Sequence, residues 1–237
     1  MAEQESDRIR QRYDRRKNLP SDRYSLFNPG TLFIVQQRER VLLRLLAKHG
    51  RTDLADQRIL EVGCGTGFWL REFLRYGAFP ENLCGIDLLA DRVDIARGLS
   101  PNIRIEQGDA ERLDFTDGSF DIVLQSTVFT SILDDGMRQA VADEMLRVLA
   151  PDGIIVWYDF RFDNPRNPDV RGVGQSEIRR LFKGCDFDRR LTTLMPPLAR
   201  KLARRGWWLC QLLSALPFLR THYLGVIKRD RLNQGRP

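Results

Sequence analysis

Two stretches near the start of the chain have the hydrophobic spacing of helices. Residues 3–17 are rich in Arg, Glu and Gln with a thin apolar stripe, which predicts a short polar helix. Residues 18–30 contain two prolines and are predicted as a loop. Residues 31–49 have a broader apolar face and form the stronger helix prediction, which Gly50 can end. Its apolar face consists of Leu32, Val35, Leu42, Leu45 and Leu46.

From residue 58 onwards, short apolar runs alternate with helix-like segments. Alternation of this kind is typical of a doubly wound α/β domain with a parallel sheet. The predicted strands cover residues 59–62, 83–86, 103–106, 120–124 and 154–158. The predicted helices between them cover residues 68–76, 88–99 and 134–149.

The pattern changes after residue 158. Residues 159–174 contain two prolines and two glycines and are predicted as a long loop, which inside a compact domain is more often functional than idle. A short helix follows at 176–183. Residues 187–194 and 223–227 resemble an antiparallel strand pair, with a helical segment at 198–216 between them. We expect an N-terminal extension or lid at 1–50 and one domain at 51–237.

Three glycines mark the turn after the first predicted strand. Gly63, Gly65 and Gly67 are separated by single residues and lie directly before a helical segment. Glycine tolerates positive φ and lets a ligand approach the bare backbone, while the first N–H groups of the helix point at the same place. The turn is therefore predicted to hold a polar ligand.

Composition narrows the class of protein. The 237 residues carry a net charge of +6, and 33 of the 38 basic side chains are arginine. Arginine binds phosphate and carboxylate in a planar, bidentate manner, although a surface simply rich in arginine is the plainer interpretation. The four cysteines are scattered, which argues against a metal site or a disulfide framework. The charged N-terminus and the lack of a long apolar run predict a cytoplasmic protein without a membrane span.

Four motifs in order resemble the class I S-adenosylmethionine-dependent methyltransferases, of the methyltransferase type 11 kind, over about residues 58–160. They are Glu61-Val-Gly-Cys-Gly-Thr-Gly67, Gly108-Asp109-Ala110, Phe120-Asp121-Ile-Val-Leu124 and Leu146-Arg-Val-Leu-Ala-Pro-Asp-Gly153. The resemblance implies a Rossmann-like, mostly parallel seven-stranded sheet that a C-terminal antiparallel hairpin closes. It also implies S-adenosylmethionine as cofactor. A nicotinamide oxidoreductase is disfavoured by the glycine spacing and by Gly108-Asp109-Ala110.

The resemblance also suggests where the cofactor binds. Glu61 and the turn backbone would face the methionine part, Asp87 the ribose, and Asp109 with Ala110 the adenine, which Leu88 would cover. Gln125 ends the fourth predicted strand and is expected at the same sheet edge. The predicted cofactor-binding residues are Glu61, Gly63, Cys64, Gly65, Gly67, Asp87, Leu88, Asp109, Ala110 and Gln125. Cys64 is interpreted as a small filler in the turn.

Residues outside these motifs should bind the acceptor. Methyl transfer needs no protein nucleophile, and an alcohol acceptor could use a general base, for which His222 and Asp159 are the candidates. The plainer interpretation of His222 is a polar residue at a strand end. Arg161, Arg166 and Arg171 could clamp an anionic group, although interleaved aspartates make an internal salt-bridged loop equally compatible.

These observations predict an enzyme that methylates a small molecule, a glycan or a lipid precursor, most readily at oxygen. An RNA or protein methyltransferase and a non-catalytic S-adenosylmethionine-binding protein are the alternatives. Base N-methyltransferases that resemble this fold hold a planar amine with an Asn-Pro-Pro-Tyr or Asp-Pro-Pro-Tyr motif after strand four. This sequence lacks the motif, which disfavours DNA as the acceptor. Residues 195–219 combine arginines, tryptophans and leucines, which suits either peripheral contact with the inner face of a membrane or packing at the sheet edge. The sequence does not indicate an oligomeric state.

Overall fold

The computed structural model describes residues 2–16, 24–164 and 167–230. The strands are β1 (Ile59–Val62), β2 (Leu83–Asp87), β3 (Arg104–Gln107), β4 (Phe120–Ser126), β5 (Leu149–Phe160), β6 (Cys185–Leu194) and β7 (Arg220–Arg229). The helices are α1 (Ala2–Arg16), α2 (Pro29–Lys48), α3 (Phe68–Arg75), α4 (Ala90–Leu99), α5 (Asp135–Val148), α6 (Gln175–Leu181), α7 (Pro196–Leu202) and α8 (Trp207–Ser214).

The strands form one sheet in the order β3-β2-β1-β4-β5-β7-β6. Strands β1 to β5 pair in parallel, and β7 is antiparallel to both β5 and β6. The strand order reverses between β1 and β4, and ligands of open α/β sheets bind outside the carboxyl ends of the strands at such a point. The predicted fold class is confirmed, including the antiparallel C-terminal strands.

The sheet is buried on both faces. On one face, Leu42 of α2 and Phe73 of α3 lie in a cluster with Ile59 of β1. On the other face, Val141 of α5 and Ile9 of α1 lie in a cluster with Leu60. As expected for strands covered on both sides, every residue of β1 and β2 is buried, including Glu61 and Asp87 near their carboxyl ends. The division into residues 1–50 and 51–237 stays a prediction.

Two elements differ from the sequence-based prediction. The single helix expected at 198–216 is two short helices, because the chain turns at 203–206 and Gly206 is extended, with φ 174° and ψ 123°. Strand β5 begins at Leu149 rather than at Ile154, and its register with β4 shifts between Phe120 and Ile122. No helix within the described residues is long and apolar enough to cross a bilayer.

Candidate active site

A cavity of about 1140 Å³ lies at the carboxyl ends of the central strands. Its floor is the turn between β1 and α3 together with the residues that follow β2, β3 and β4. Residues from α1 and α2 cover it, and residues of β5, β6 and β7 form its far wall. The cavity therefore joins the predicted cofactor turn to the antiparallel end of the sheet.

The glycine turn needs glycine for two separate reasons. Gly63, Gly65 and Gly67 have φ values of +67°, +54° and +74°, which side chains with a Cβ rarely adopt. A Cβ on Gly63 would also lie 2.5 Å from Cγ2 of Val128. The backbone N–H of Cys64 donates to the carbonyl of Ile86 at 2.8 Å, which holds the turn against β2.

Asp87 ends β2 and ties the turn to the next helix. Its Oδ2 accepts from the N–H of Gly65 at 2.7 Å, and its Oδ1 accepts from the N–H of Leu89 at 3.0 Å. Burial raises the pKa of this carboxyl group, and the two backbone donors oppose that rise. Since a carboxylate has about four lone-pair sites, two remain for ligand hydroxyl groups. Asp87 lines the cavity, as predicted for a residue that binds ribose.

Glu61 places a carboxyl group below the turn. Its side chain is buried, lines the cavity, and has no hydrogen-bond partner for Oε2 within the part of the chain that the structure describes. Burial, opposed in part by a backbone hydrogen bond from Leu70, raises the pKa of Glu61 well above its ordinary value. A buried acceptor of this kind suits a cationic ammonium group, which would restore the carboxylate form.

The remaining predicted floor residues also line the cavity, with two exceptions. Leu88, Asp109 and Ala110 line it beside the turn, and Oδ1 of Asp109 accepts from the N–H of Glu111 at 2.9 Å. Cys64 lines it too, but burial raises the pKa of its thiol, which makes it inert as a nucleophile.

Gly67 and Gln125 do not line the cavity. Gly67 caps α3 from behind the turn. The side chain of Gln125 is buried, and its Oε1 accepts from the N–H of Val128 at 3.2 Å. Gln125 therefore stabilises the loop after β4. The prediction that its side chain contacts the cofactor is corrected, because the side chain does not reach the cavity.

The far wall contains a polar group among aromatic rings. The ring of His222 stacks on Tyr158 with centroids 4.7 Å apart and an interplanar angle of 2°, and the Phe160 ring lies 3.8 Å away on a tilt. The hydroxyl groups of Tyr158 and Thr193 are hydrogen-bonded at 2.8 Å. All four residues line the cavity. His222 was predicted from sequence, whereas the other three were missed.

The hydrogen bonds of Thr221 indicate the tautomer of His222. The Thr221 hydroxyl donates to the carbonyl of Thr193 at 3.2 Å and lies 2.8 Å from Nδ1 of His222. Since a hydroxyl has one proton, both bonds form only if Nδ1–H is the donor to Thr221. Nε2 then has the lone pair. Burial, and to a lesser extent the charge of Arg38, lowers the pKa of His222 to about 3, so the ring is neutral near pH 7.

Two threonines in the cavity wall have strained backbones. Thr127 and Thr193 have φ values of 60° and 65°, and they are the only non-glycine residues with positive φ within the described chain. For β-branched residues this conformation is a genuine outlier, and such outliers gather at ligand sites. Around Thr193 the pairing of β6 with β7 passes from Thr192 with His222 directly to Leu194 with Arg220. The strain turns Thr193 out of the ladder and towards the cavity.

Arg38 connects the two parts of the cavity. Its guanidinium carbon lies 4.2 Å from the centroid of the Trp69 ring, and about 5.1 Å from the rings of both Phe68 and Tyr158. A sequence signal was present, because Thr31, Ile34, Val35 and Arg38 share one face of α2 and all line the cavity. An arginine beside Ile34 and Val35 on one face of a helix is unusual for core packing and could have drawn attention to this face.

Asp159 is not a cavity residue. It is fully buried, and its carboxylate accepts from the N–H groups of Thr130 at 3.1 Å and Phe160 at 2.9 Å. Burial raises its pKa to about 7 against these donors. Asp159 positions the turn after β4 and does not reach the cavity, so its predicted role as a general base is corrected to a positioning role.

The predicted arginine clamp is not assembled at the cavity. Nε of Arg161 donates to the carbonyl of Arg220 at 2.9 Å. Arg171 forms ion pairs with Asp135 and Glu177 outside the cavity. Arg166 lies outside the described residues. The two described arginines bind groups outside their loop, and neither pairs with the interleaved aspartates of the salt-bridged alternative, since Asp169 pairs with Arg15.

Helix α1 covers the cofactor side of the cavity. Ile9 and Tyr13 line the cavity, and the guanidinium group of Arg92 lies 4.7 Å from the Tyr13 ring centroid. Nη2 of Arg8 donates to the carbonyl of Ser131 at 2.5 Å, and Arg15 forms an ion pair with Asp169 at 2.9 Å. These bonds fasten α1 to the loops after β4 and β5. Sequence analysis predicted a lid but not these residues.

The central part of the chain is similar to known methyltransferases. Residues 59–153 match the family model described as a methyltransferase domain. The chain is 37% identical over 108 residues to a demethylmenaquinone methyltransferase of Deinococcus radiodurans, covering 44% of this chain and 43% of that protein. It is 34% identical over 116 residues to a phthiotriol/phenolphthiotriol dimycocerosates methyltransferase of Mycobacterium tuberculosis, covering 48% and 42%. The match spans less than half the length of each relative.

Solved structures share the fold. An S-adenosylmethionine-dependent methyltransferase of Mesorhizobium loti superposes with a TM-score of 0.59 at 18% identity, covering 81% of this chain and 98% of that chain. One of Methanosarcina mazei superposes with a TM-score of 0.57 at 18% identity, covering 77% and 97%. The donor set fits the cofactor of these proteins, since Glu61 offers a buried acceptor to its ammonium group and Asp87 offers acceptors to its ribose. Residues 59–153 therefore match the methyltransferase-domain family model, in a chain that shares its fold with these S-adenosylmethionine-dependent methyltransferases.

Proposed function

We propose that this protein methylates an oxygen atom of a small-molecule, glycan or lipid-precursor acceptor. The observation that carries the proposal is the single cavity in which the cofactor floor faces His222, Tyr158 and Thr193. Its volume of about 1140 Å³ exceeds the ~300–1,000 Å³ of typical small-ligand pockets, so it has room for a second ligand beside the cofactor.

S-adenosylmethionine, as the cofactor, would supply a methyl group bonded to a positively charged sulfur. The acceptor oxygen would attack the methyl carbon and displace that sulfur in line. The protein therefore has to hold two ligands in near-attack geometry, and that alone supplies much of the acceleration. Asp87, Glu61 and the glycine turn fix one ligand. The polar group on the far wall fixes the other.

His222 is suited to orient an acceptor hydroxyl. With Nδ1–H donating to Thr221, Nε2 is an acceptor, and the stacked Tyr158 ring and the tilted Phe160 ring hold the imidazole in place. A pKa of about 3 makes His222 a weak base, because general bases work best with a pKa near the operating pH. Its contribution is then mainly to align the hydroxyl, whose proton passes to Nε2 once the oxygen–carbon bond has formed and made the oxygen strongly acidic.

The walls between these groups are largely apolar. Ile9 of α1 and Ile34 with Val35 of α2 line the cavity beside the aromatic residues. A dry site strengthens each electrostatic contact within it and protects the activated methyl group from hydrolysis. The names of the two relatives, which refer to demethylmenaquinone and to phthiotriol and phenolphthiotriol dimycocerosates, favour an acceptor that is neither RNA nor protein.

The chain contains a matched pair of histidines that can test the proposal. His222 lines the cavity. His49 does not, and its Nε2 lies 3.1 Å from a carboxylate oxygen of Asp188. Tritium-labelled S-adenosylmethionine would be offered with long-chain diols, phenols, phosphorylated sugars and polyprenyl-linked sugars. On the acceptor that is methylated, His222→Gln should lower turnover about 10- to 100-fold with S-adenosylhomocysteine affinity unchanged, because only acceptor alignment is lost.

His49→Gln should change neither quantity. Full activity of His222→Gln would remove the far wall from the acceptor site. Labelling of RNA or protein in place of these acceptors would favour the alternative enzyme class. Binding of S-adenosylhomocysteine without methylation of any acceptor would favour a non-catalytic protein.

A further inference from the structure

Helices α7 and α8 share one buried face, and α8 with the turn after it also has an exposed apolar face. Ala199, Ala203 and Cys210 pack in a small cluster with Phe33 of α2 and Leu194. The opposite face is exposed: Trp208 is 66% exposed, Leu212 is 62% exposed, and Phe218 in the following turn is 67% exposed. Trp208 and Leu212 are four residues apart and so lie on the same side of α8.

The charge of this segment has one sign. Residues 195–220 contain five basic residues and no Asp or Glu. Lys201, Arg204 and Arg205 are exposed, and none of them forms an ion pair with another described residue. Elsewhere in the described chain several arginines form ion pairs, as the pairs of Arg147 with Glu144 and Asp117 show. An exposed apolar surface with an unbalanced basic border is typical of proteins that lie in the headgroup region of anionic membranes.

This face is continuous with the mouth of the cavity. Pro196 and Arg200 of α7 line the cavity, and so do Tyr24 and Leu26, which are themselves exposed. The first turn of α2 holds these two parts together, since a Cβ on Gly30 would lie 2.4 Å from Cα of Arg200. Phe27, between Leu26 and that turn, is 98% exposed.

We infer that the exposed face of α7 and α8, with Tyr24, Leu26 and Phe27, docks onto the surface of an anionic lipid bilayer and opens the cavity towards it. The apolar side chains enter the headgroup region, and Lys201, Arg204 and Arg205 contact lipid phosphates. An acceptor with a lipid tail reaches the far wall from the bilayer while its tail stays among Leu26 and Pro196. This last step rests on the proposed function, whereas docking does not.

Flotation with phosphatidylcholine vesicles, with and without phosphatidylglycerol, tests the docking directly. We expect the full chain to float with the anionic vesicles, and binding to weaken as salt is added, because ions screen the basic residues. Leu212→Gln with Phe218→Ser should lower vesicle binding at least about tenfold, since exposed apolar side chains supply the insertion energy. Arg204→Gln with Arg205→Gln should lower binding to anionic vesicles alone.

Matched control variants distinguish docking through this face from nonspecific binding of vesicles by any exposed apolar or basic residues. Ile95 and Leu99 on α4 are exposed to a similar degree, and Arg179 with Lys183 are exposed basic residues near α6. Ile95→Gln with Leu99→Gln, and Arg179→Gln with Lys183→Gln, should leave vesicle binding unchanged. Equal losses in the controls, or no flotation of the wild type, would overturn the inference. So would a wild-type dimer in sedimentation that Leu212→Gln with Phe218→Ser converts to a monomer without any vesicle binding.

Two further readouts keep this inference separate from the proposed function. The affinity for S-adenosylhomocysteine without vesicles should be the same in all four variants, because none of the substituted residues lines the cavity. Failure of the wild type to bind S-adenosylhomocysteine would count against the proposed function and leave docking intact. Methylation of an extract of cellular lipids in vesicles should fall in the Leu212→Gln, Phe218→Ser variant; label found only in water-soluble acceptors would contradict delivery from the bilayer.

Discussion

The two halves of the cavity are built in different ways. The cofactor half consists of backbone and carboxylates from Glu61 to Ala110, a short segment that contains three strand ends. The acceptor half brings together residues from Arg38 to His222, on one helix and three strands. The first half depends on local turn geometry, and the second depends on the register of the antiparallel strands. Substitutions should therefore affect cofactor affinity in one half and acceptor turnover in the other.

The largest effect is expected at the glycine turn. Gly65→Val would place a branched side chain at φ +54° where the turn meets the ligand, so S-adenosylhomocysteine binding should become undetectable by calorimetry. Gly50→Val is the matched control, because Gly50 has φ +72° with open space around it. Both variants should lose about 1–3 kcal/mol of unfolding free energy from backbone strain. Retained binding in Gly65→Val would contradict the role of the turn.

Asp87→Ala should weaken S-adenosylhomocysteine binding about 10- to 150-fold, because hydrogen bonds to a charged group contribute about 1.5–3 kcal/mol. Asp121→Ala removes the same charge from the amino-terminal end of β4, where Asp121 pairs with Arg58 at 3.1 Å. Its affinity should match the wild type in the same titration. Equal weakening in both variants would mean that net charge, rather than the position of Asp87, determines binding.

Thr193 allows backbone strain in the acceptor half to be measured. Thr193→Gly and Thr193→Ala both lose the hydroxyl that bonds Tyr158, but only alanine keeps a Cβ at φ 65°. The glycine variant should therefore be more stable than the alanine variant by about 1–2 kcal/mol in denaturant unfolding. Both should lower acceptor turnover about tenfold without a change in cofactor affinity, from the loss of one or two hydrogen bonds. Equal stability would contradict the strained backbone.

His222 also makes the stability of the chain depend on pH, without any change in ligand contacts. Its pKa is about 3 in the folded chain against an ordinary 6.5, so the unfolded chain binds a proton between these values that the folded chain does not. Stability is thus lost as the pH falls below about 6.5, by at most about 1.4 kcal/mol per pH unit. His222→Phe should lack this loss. The raised pKa of Asp159 acts in the opposite direction, but it is common to the wild type and to His222→Phe. If the two proteins lost stability in parallel as the pH falls, that result would contradict a buried neutral His222.

The same contrast explains what could be predicted from sequence. The residues of the cofactor half could be predicted from motifs, because each lies beside the end of a strand that the apolar pattern indicates. Asp87 and Asp109 accordingly line the cavity. The acceptor half could not be predicted in this way. Thr193 reaches the cavity through an unusual backbone angle. Tyr158 belongs to an apolar run of strand residues, so the sequence does not distinguish it from the core residues around it.

Charged residues produced most of the corrections. Asp159 follows an apolar strand much as Asp87 does, but β5 continues to Phe160 and pairs with β7, which buries Asp159 away from the cavity. Arg161 binds a carbonyl at the start of β7, and Arg171 binds carboxylates of α5 and α6. An arginine-rich sequence does not reveal which acids each arginine meets, because the partners lie on distant elements.

The central claim is that one cavity holds the cofactor at one end and the acceptor at the other. Calorimetric titration with S-adenosylhomocysteine of the wild type, Asp87→Ala and His222→Gln tests it most directly. We expect one binding site per chain, at least about tenfold weaker binding in Asp87→Ala, and wild-type affinity in His222→Gln, because the two substitutions lie in opposite halves. No binding to the wild type, or equal weakening by both substitutions, would contradict the account.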